Sequence, residues 1–432
     1  MAETSASKLS KRIHTDGSTH YKSATAPANP VEGDLWYDET ENAFKFYNGS
    51  TFVKISAALT ELSSVTGDIV AGGATTLTLA GSGFLTSNLV VNFVQASDGI
   101  NANVTVTPSS DSAASVTVPS SVYSNVTSGN VVTIKVTNSD GSSSGNQTKT
   151  AIALPSGGTI ATSGDYRYHT FTSSGTFTNT LAGLVTEYLV IAGGGGGGAA
   201  SARAGGGGAG GLRNGSLTLS STGGKTVTIG AGGSGSSSQS QVASTQNGNN
   251  SVFDSITSTA GGGGGNGSTD TDSYLYGADG GSGGGGGASS STTSSWAGGS
   301  GTVGQGNDGG YGQHVNGSWA GGGGGGGAGG AGTDASSIST VPIGGSSTSS
   351  YSTWASATST GVSSNYAGGG GGAHTNAASG AGGGGGAGSA SAGGGFAATS
   401  NTGSGGGGGG PTGGNGGSGL VIVRYDLTSL DA

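Results

Sequence analysis

The glycine residues of this chain lie almost entirely in its second half, where they form uninterrupted blocks. All but 17 of the 100 glycines fall in residues 193–432. A run without side chains has nothing to bury, and glycine loses more conformational entropy on folding than any other residue. This half is therefore either disordered or ordered by contacts between backbones. The blocks are 193–198, 205–208, 261–265, 283–287, 321–327, 368–372, 382–386 and 405–410.

The blocks fit a bundle of extended polyglycine II helices. Such a helix has three residues per turn, rises about 3.1 Å per residue and makes no internal hydrogen bonds. Glycine helices can pair side by side because no Cβ separates their N–H and C=O groups, and buried groups need partners. The blocks have similar lengths, as a bundle of uniform thickness requires, and we expect Ala209, Ala328 and Ala387 at its edge. A flexible linker is the competing interpretation, whereas collagen is excluded because there is no Gly-X-Y period.

Short aromatic and β-branched runs outside the blocks predict strands. Near the N-terminus these are residues 34–38, 43–47 and 51–55, and Asn48-Gly49 predicts a hairpin turn between the last two. Alternating segments between residues 62 and 153 predict an all-β sandwich. Its predicted strands are 75–80, 89–93, 103–107, 115–118 and 131–137.

Two further apolar segments flank the glycine-rich half. Residues 186–192 run directly into the first block, and residues 420–425 follow the last glycine-rich segment. We expect these two segments to pair as strands, which would clamp the start of the glycine-rich region to its end. A disordered tail would not need such a clamp.

Composition excludes several classes of protein. A net charge of −9 argues against a nucleic-acid groove, and the absence of cysteine excludes disulfides and cysteine-ligated metals. No segment is apolar enough to insert into a membrane, and residues 1–10 lack the apolar core of a signal peptide. A hydroxyl-rich chain of this kind fits an extracellular virion part released by lysis, with non-classical secretion as the alternative.

No catalytic or cofactor motif can be assembled from the sequence. No two of the 5 histidines stand at metal-ligand spacing. Asp270 and Asp272 could contact Ca²⁺, but the rest of a calcium loop is missing. Gly224-Lys225-Thr226 imitates the end of a phosphate-binding loop, yet Leu219 replaces its first glycine. We therefore expect no enzyme activity, no cofactor and no metal.

Two resemblances follow from particular segments. TLAGSGF (78–84), VTVPSS (116–121) and VTIKVTNSDGSSS (132–144) resemble an IPT/TIG-type immunoglobulin-like (Ig-like) domain, which implies a spacer or adhesion fold. YLVIAGGGGGG (188–198), KTVTIGAGG (225–233) and GGNGGSGLVIVRY (413–425) resemble the glycine-rich domain of bacteriophage tail fibres and adhesins. GDLWYDETENAFKFYNGSTFVKI (33–55) is similar to a short module of phage virion proteins. Together they imply a virion appendage whose glycine-rich loops meet a host surface.

The connectors between blocks carry the aromatic residues. Aromatic side chains on loops above a rigid scaffold are typical of binding faces, and rings flanked by Asp, Asn and Gln suit sugars. The competing interpretation is that these rings cap the bundle, as we expect for Tyr311, Trp319 and Tyr366. The candidate receptor-binding residues are Tyr274, Tyr276, Trp296, Tyr351, Trp354 and His374.

The sequence therefore predicts an all-β, elongated and oligomeric protein, a homotrimer. Its predicted domains are residues 1–57, an N-terminal arm and β-hairpin that dock on the virion tail or baseplate; 58–153, the Ig-like sandwich; and 154–432, the glycine-rich domain. The predicted function is host attachment, with a host-surface glycan or protein bound by the C-terminal loops. A purely structural virion fibre or filament subunit and a bacterial surface adhesin are the alternatives.

Overall fold

The computed structural model describes residues 20–41, 43–54, 59–85, 87–200, 203–267, 272–315, 319–337, 341–375, 384–389, 393–428 and 430. The chain divides into two compact units. One comprises Met1–Gly67, Thr76–Val122 and Asn130–Thr150; the other comprises Asp68–Thr75, Tyr123–Gly129 and Ala151–Ala432. Three short segments of the predicted 58–153 domain, residues 68–75, 123–129 and 151–153, thus belong to the second unit. Residues 1–19 of the predicted arm lie outside the described residues.

The N-terminal sheet has four strands in the order β1-β2-β3-β4. They are β1 (His20–Ser23), β2 (Leu35–Asp38), β3 (Ala43–Tyr47) and β4 (Phe52–Lys54). The predicted turn joins β3 to β4, where the Asn48 side-chain oxygen accepts hydrogen bonds from the backbone N–H groups of Ser50 and Thr51 at 3.0 and 2.9 Å. The three predicted strands are confirmed. β1 lies parallel to β2 and carries no apolar pattern of its own.

The sandwich of the first unit has two sheets that bury alternate residues of their strands. Leu77, Leu79, Val91, Phe93 and Ile134 are fully buried. The strands of this region are β5 (Glu61–Thr66), β6 (Val70–Ala71), β7 (Thr76–Ser82), β8 (Leu89–Gln95), β9 (Ile100–Val106), β10 (Ala113–Thr117), β11 (Val131–Thr137), β12 (Gln147–Thr150) and β13 (Ile152–Ala153), with one helical turn, α1 (Ser120–Tyr123). The sheets are β10-β7-β5 and β12-β11-β8-β9, while β6 and β13 pair in the second unit.

The second unit carries three more sheets, with the orders β14-β15-β25-β17-β18, β16-β19-β20-β21 and β22-β23-β24. The strands are β14 (Thr159–Ser163), β15 (Tyr166–Phe171), β16 (Gly175–Asn179), β17 (Leu184–Ile191), β18 (Leu212–Leu219), β19 (Gly223–Thr228), β20 (Ser251–Phe253), β21 (Ile256–Ser258), β22 (Ser294–Trp296), β23 (Gly312–Val315), β24 (Trp319–Gly321) and β25 (Leu420–Asp426). One helix, α2 (Ser352–Thr358), and two 3-10 turns at Ala243–Gln246 and Asp272–Tyr274 complete it.

The predicted clamp is present. β17 and β25 pair antiparallel, with Glu187 opposite Arg424 and Ile191 opposite Leu420. β25 is the central strand of its sheet and is buried on both faces, which explains its nearly continuous apolar sequence. Val421 and Val423 belong to one apolar cluster with the aromatic side chains of β15, β16 and β20. Leu420 and Ile422 belong to a second cluster, which contains Trp354 and Tyr366.

The described residues of the glycine blocks form an ordered bundle, so the linker interpretation is wrong for them. In the block 193–198, successive backbone N–H groups donate to three different segments, and the partner repeats every third residue at N···O distances of 2.8–3.0 Å. A period of three is that of a polyglycine II helix. Residues 193 and 196 donate to Asn249 and Gln246, residues 194 and 197 to Gly417 and Gly414, and residues 195 and 198 to Gly208 and Gly205.

Each helix of the bundle is surrounded. The carbonyl groups of residues 193–198 accept hydrogen bonds from three further segments, which contain Gly233, Gly261 and Gly406. Six described segments therefore contact this one helix, and some run parallel to it while others run antiparallel. Residues 205–211 repeat the arrangement, since their N–H groups donate in turn to residues 259–265, 323–326 and 403–406. The bundle is held by backbone hydrogen bonds in three directions.

Space, rather than backbone freedom, requires glycine in these helices. None of the glycines 193–198 adopts a positive φ, so an L-residue could adopt the same backbone angles. A Cβ on Gly195 or Gly197, however, would lie well under 3.0 Å from the carbonyl oxygen of Gly262 or Gly407. Ala209 is the exception that fits, because its methyl group is buried among the apolar side chains of the Trp354 cluster.

The bundle has two ends. At the sheet end, Gly193 continues β17, Gly211 precedes β18 and Gly419 precedes β25. At the opposite, distal end, turns and connectors join the helices. There Ala288 N donates to Arg203 O at 2.9 Å and Ala373 N donates to Ala204 O at 2.8 Å. The connectors that the sequence assigned to a single binding face are therefore divided between two ends.

Candidate functional site

Four of the six candidate binding residues lie toward the distal end of the bundle, and two lie at the sheet end. Asn266 N donates to Tyr274 O at 2.7 Å, which places Tyr274 and Tyr276 by the distal turns. His374 follows Ala373 at the same end, and Trp296 shares a cluster with Ala288. Tyr351 and Trp354 instead pack near β15 and β25. No single surface contains all six.

Three of these candidates are buried, so their prediction as surface contacts is wrong. Trp296 is 3% exposed, Trp354 is 7% exposed and His374 is fully buried. Trp296 packs against Leu275, and the His374 ring stacks on Trp319 with centroids 5.7 Å apart. The physical reason is that glycine segments cannot fill apolar gaps, so large rings from the connectors fill them. Burial also lowers the pKa of His374.

The remaining candidates are accessible. Tyr276 is 47% exposed, and Tyr274 and Tyr351 are partly buried. Among the residues expected to cap the bundle, Tyr366 is fully buried in the cluster beside β25, whereas Tyr311 is 50% exposed. Their assignment as caps stays a prediction. Phe396 is 63% exposed as well. Exposure could not be derived from neighbouring glycine or alanine residues in the sequence, because it depends on which helices pack around each connector.

A cleft at the sheet end is lined by Tyr351. It consists of two adjoining cavities of about 330 and 260 Å³, and both are lined by Asn214, Ser350 and Tyr351. The first cavity continues along the turn that carries Gln305 and Asn307. The second cavity is lined by Glu187, Tyr188, Gly215, Ser216, Trp354 and Arg424. We refer to the two together as the Tyr351 cleft.

An arginine stack supports one wall of the cleft. The Arg424 guanidinium lies 4.0 Å from the ring centroid of Tyr166 and 4.3 Å from that of Trp354. It donates from Nε to Glu187 Oε2 at 2.6 Å and from Nη1 to the Tyr168 hydroxyl at 3.1 Å. Trp354 in turn meets Tyr351 edge to face, with centroids 6.0 Å apart, and burial raises the pKa of Tyr351. The wall is therefore held by several contacts, and its charges are paired.

The N-terminal sheet presents an exposed apolar face. Tyr37 lies opposite Phe44, and Leu35 and Val53 lie opposite Phe46, so these side chains share one face. Phe44 is 56% exposed, Phe46 39% and Val53 38%. The opposite face is filled by its own residues, since Trp36 packs on Phe52 and the Lys45 ammonium lies 4.9 Å from the Trp36 ring centroid.

The motif that carries the Ig-like resemblance has a structural role. Asn138 is buried and its amide donates to Thr60 Oγ1 at 2.7 Å and to Gly83 O at 2.8 Å. Its oxygen accepts from Leu85 N at 3.0 Å. Asn138 thus ties the edge of β11 to the loop after β7, and its contacts explain the VTN segment without any chemistry.

The described residues contain no cluster of three or more His, Cys, Asp or Glu side chains that could hold a metal ion. Asp270 lies outside the part of the chain that the structure describes, so the calcium hypothesis for Asp270 and Asp272 is untested. Within the described ranges, no helix is both long and apolar enough to cross a membrane.

Comparison with known proteins gives one family match. The model of a glycine-rich domain family matches residues 170–426, which include the whole bundle and both strands of the clamp. No curated protein matches the chain. A solved structure, the crystal structure of chicken CNTN1 FN1-FN3 domains, matches with 12% sequence identity and a TM-score of 0.18, and covers 42% of this chain and 62% of that one. The chain thus spans less than two thirds of the structure it matches.

Proposed function

Because the chain belongs to the glycine-rich domain family, we propose that it is a bacteriophage tail fibre or related virion appendage that attaches the particle to a host surface. The observation that supports this role is the construction of the second unit. A rigid bundle without side chains of its own carries exposed Tyr276 and Tyr311 on its connectors, and binding residues are commonly displayed by loops on rigid scaffolds.

The N-terminal sheet would dock the chain on the virion. Its face with Phe44, Phe46 and Val53 is exposed, and a large exposed apolar patch is typical of an interaction site. The partner in this proposal is a tail or baseplate protein, or a neighbouring copy in a homotrimer. The protein would work outside the cell, without catalysis, and bind a host glycan or protein.

The test is adsorption of particles that carry Tyr276→Ser or Tyr311→Ser in the full chain. Removal of an aromatic anchor commonly costs about 1–3 kcal/mol, so we expect adsorption to fall about tenfold or more. Tyr276→Phe and Tyr311→Phe keep the rings and serve as matched controls. Particle assembly and the melting temperature of the purified chain should not change, since both rings are half exposed.

Exchange of the whole connector 331–367 would not be a clean test. This segment contains Trp354 and Tyr366, which fill the apolar cluster beside β25. Loss of adsorption after such an exchange would therefore report unfolding as readily as loss of a receptor contact. Substitutions must be confined to exposed positions.

A purely structural fibre is the second candidate function. The burial of Trp296, Trp354 and His374 favours it, because half of the candidate contact residues serve the fold. Adsorption that is indifferent to both serine variants would support this function over attachment. Hydrolysis of a host polysaccharide by the purified chain would overturn the proposal that it is not an enzyme.

A further inference from the structure

We propose that the Tyr351 cleft binds a neutral saccharide unit. This inference deepens the proposed function and rests on it for the biological role of the ligand, which would be part of a host-surface glycan. The binding itself can be measured on the isolated chain. It assigns a ligand to the sheet end of the bundle, away from Tyr276 at the distal end.

The size and form of the cleft suit a small ring ligand. The two adjoining cavities measure about 330 and 260 Å³ and share Asn214, Ser350 and Tyr351. Small-molecule sites begin at roughly 300 Å³, so one or two sugar rings fit the space. A protein or nucleic-acid partner would need a broader surface.

The amide groups that line the first cavity are held in fixed orientations. Gln305 Oε1 accepts from Thr259 N at 2.9 Å, which leaves its Nε2 as a donor. Asn307 Nδ2 donates to Gly327 O at 2.7 Å, which leaves its Oδ1 as an acceptor. Neither of these remaining atoms makes a hydrogen bond to another described residue. An amide donor and an amide acceptor on residues of one cavity lining suit the hydroxyl groups of a sugar, each of which can donate and accept.

Asn214 supplies a further amide between the two cavities. It lies on β18 with its side chain exposed, and its amide has no hydrogen-bond partner among the described residues. Tyr351 provides the apolar surface beside it. Its ring packs edge to face on Trp354, and tyrosine combines an apolar ring with a polar hydroxyl. The C–H face of a sugar can pack on such a ring while its hydroxyls reach the amides.

The charges at the cleft indicate a neutral ligand. Glu187 and Arg424 are the charged residues of the lining, and they pair with each other at 2.5 Å. Arg424 is also enclosed by the rings of Tyr166 and Trp354. An anionic ligand would compete with Glu187 for this guanidinium, and a cationic ligand would compete with Arg424 for the carboxylate. The uncharged amides and hydroxyls are the groups left to bind.

The experiment titrates the purified full chain with glucose, galactose, mannose, N-acetylglucosamine and their disaccharides, with sialic acid as a charged comparison. Binding is followed by saturation-transfer NMR and by tryptophan fluorescence, since Trp354 lies behind Tyr351. We expect at least one neutral saccharide to bind, and Asn214→Ala and Tyr351→Ser each to weaken it about tenfold. Val131→Ser, at an exposed position of the sandwich and outside the lining of the cleft, is the control and should bind as the parent does.

A melting curve is measured for each variant. The side chain of Asn214 is exposed, so Asn214→Ala tests saccharide binding even if Tyr351→Ser unfolds the chain. The inference is overturned if no neutral saccharide binds, if sialic acid alone binds, or if Asn214→Ala binds unchanged. The attachment proposal fails in a different measurement, if Tyr276→Ser and Tyr311→Ser leave the adsorption of particles unchanged. The two failures are therefore distinguishable.

Discussion

Individual glycines of the bundle are needed because no other residue leaves room for the neighbouring backbone. Gly324 illustrates this in the longest block. Its N–H donates to Thr333 O at 3.0 Å and its carbonyl accepts from Gly310 N at 2.8 Å. A Cβ at this position would lie well under 3.0 Å from Ile343 O. The smallest possible side chain would thus separate helices that now satisfy each other's hydrogen bonds.

We predict that Gly324→Ala lowers the free energy of unfolding of the second unit by about 3 kcal/mol or more. Overpacking of one methyl group against fixed backbone commonly costs about 1–3 kcal/mol, and backbone hydrogen bonds would be lost as well. The measurement is chemical denaturation with thermal melting. Gly175→Ala is the matched control, because a Cβ there meets Phe171 Cδ1 at an ordinary 3.8 Å. Equal effects of the two substitutions would contradict the packing argument.

His169 is a buried residue whose ionisation opposes folding. It is fully buried, and its Nδ1–H donates to Gly157 O at 2.8 Å. Nε2 has no hydrogen-bond partner among the described residues and lies among aromatic rings, since His169 contacts Phe177 and Tyr425. Burial, reinforced by the charge of Arg167, lowers the pKa of His169 to about 4.

The stability contribution of neutral His169 is complete above the unfolded pKa of about 6.5 and is lost as the pH falls toward 4, because the unfolded chain binds the proton more readily. The shift corresponds to about 3 kcal/mol. His169→Asn keeps a donor near Nδ1 and cannot ionise. We predict that the gap in free energy of unfolding between parent and His169→Asn shrinks by about that amount from pH 7 to pH 4. A constant gap would refute the assignment.

Among the elements, β25 couples the sheet to the glycine bundle. It pairs with β15 on one side and β17 on the other, and its alternate residues enter two different apolar clusters. β17 continues directly into residues 193–198, around which six segments pack. The order of the bundle at its sheet end therefore depends on β25, which lies more than two hundred residues after β17 in the sequence.

We predict that Val423→Asp in β25 disrupts this coupling. Val423 is fully buried, and an unpaired buried carboxylate costs several kcal/mol. Hydrogen–deuterium exchange should show faster exchange for the amides of residues 193–198 than in the parent. Val185→Asp in the neighbouring β17 is the matched control, because Val185 is 46% exposed and should leave exchange unchanged. Protection of 193–198 that survives Val423→Asp would show that the bundle does not need the clamp.

At the scale of the whole molecule, the proposal assigns different partners to the N-terminal sheet and to the glycine-rich unit. The apolar face of β2, β3 and β4 would bind the virion. The exposed connector residues and the Tyr351 cleft would bind the host. The sandwich would act as a spacer, since the hydrogen bonds of its Asn138 side chain hold its own loops together.

We predict that Phe44→Ser with Phe46→Ser lowers the copy number of the protein on virions while the melting curve of the isolated chain stays unchanged, because both rings are exposed in the isolated sheet. Quantitative blotting of purified particles measures it. Trp36→Ser is unsuitable as a control, since Trp36 is buried; Val131→Ser, at an exposed position of the sandwich, is the matched control. Normal incorporation of the double variant would place virion docking elsewhere.

The sequence by itself determined the elements whose causes are local. Neighbouring residues predict the alternating strands and the Asn48 turn, and the similar lengths of the glycine blocks predict the bundle. The apolar segments that flank the blocks also predict that β17 pairs with β25. Only the tertiary structure decided which rings are exposed. Their neighbours in the sequence are mostly Ser and Gly, which predicts surface positions for Trp296, Trp354 and His374. All three are buried, because helices without side chains leave gaps that these rings fill. The Tyr351 cleft also required the structure, because Asn214, Gln305 and Tyr351 meet only when distant backbones pack together.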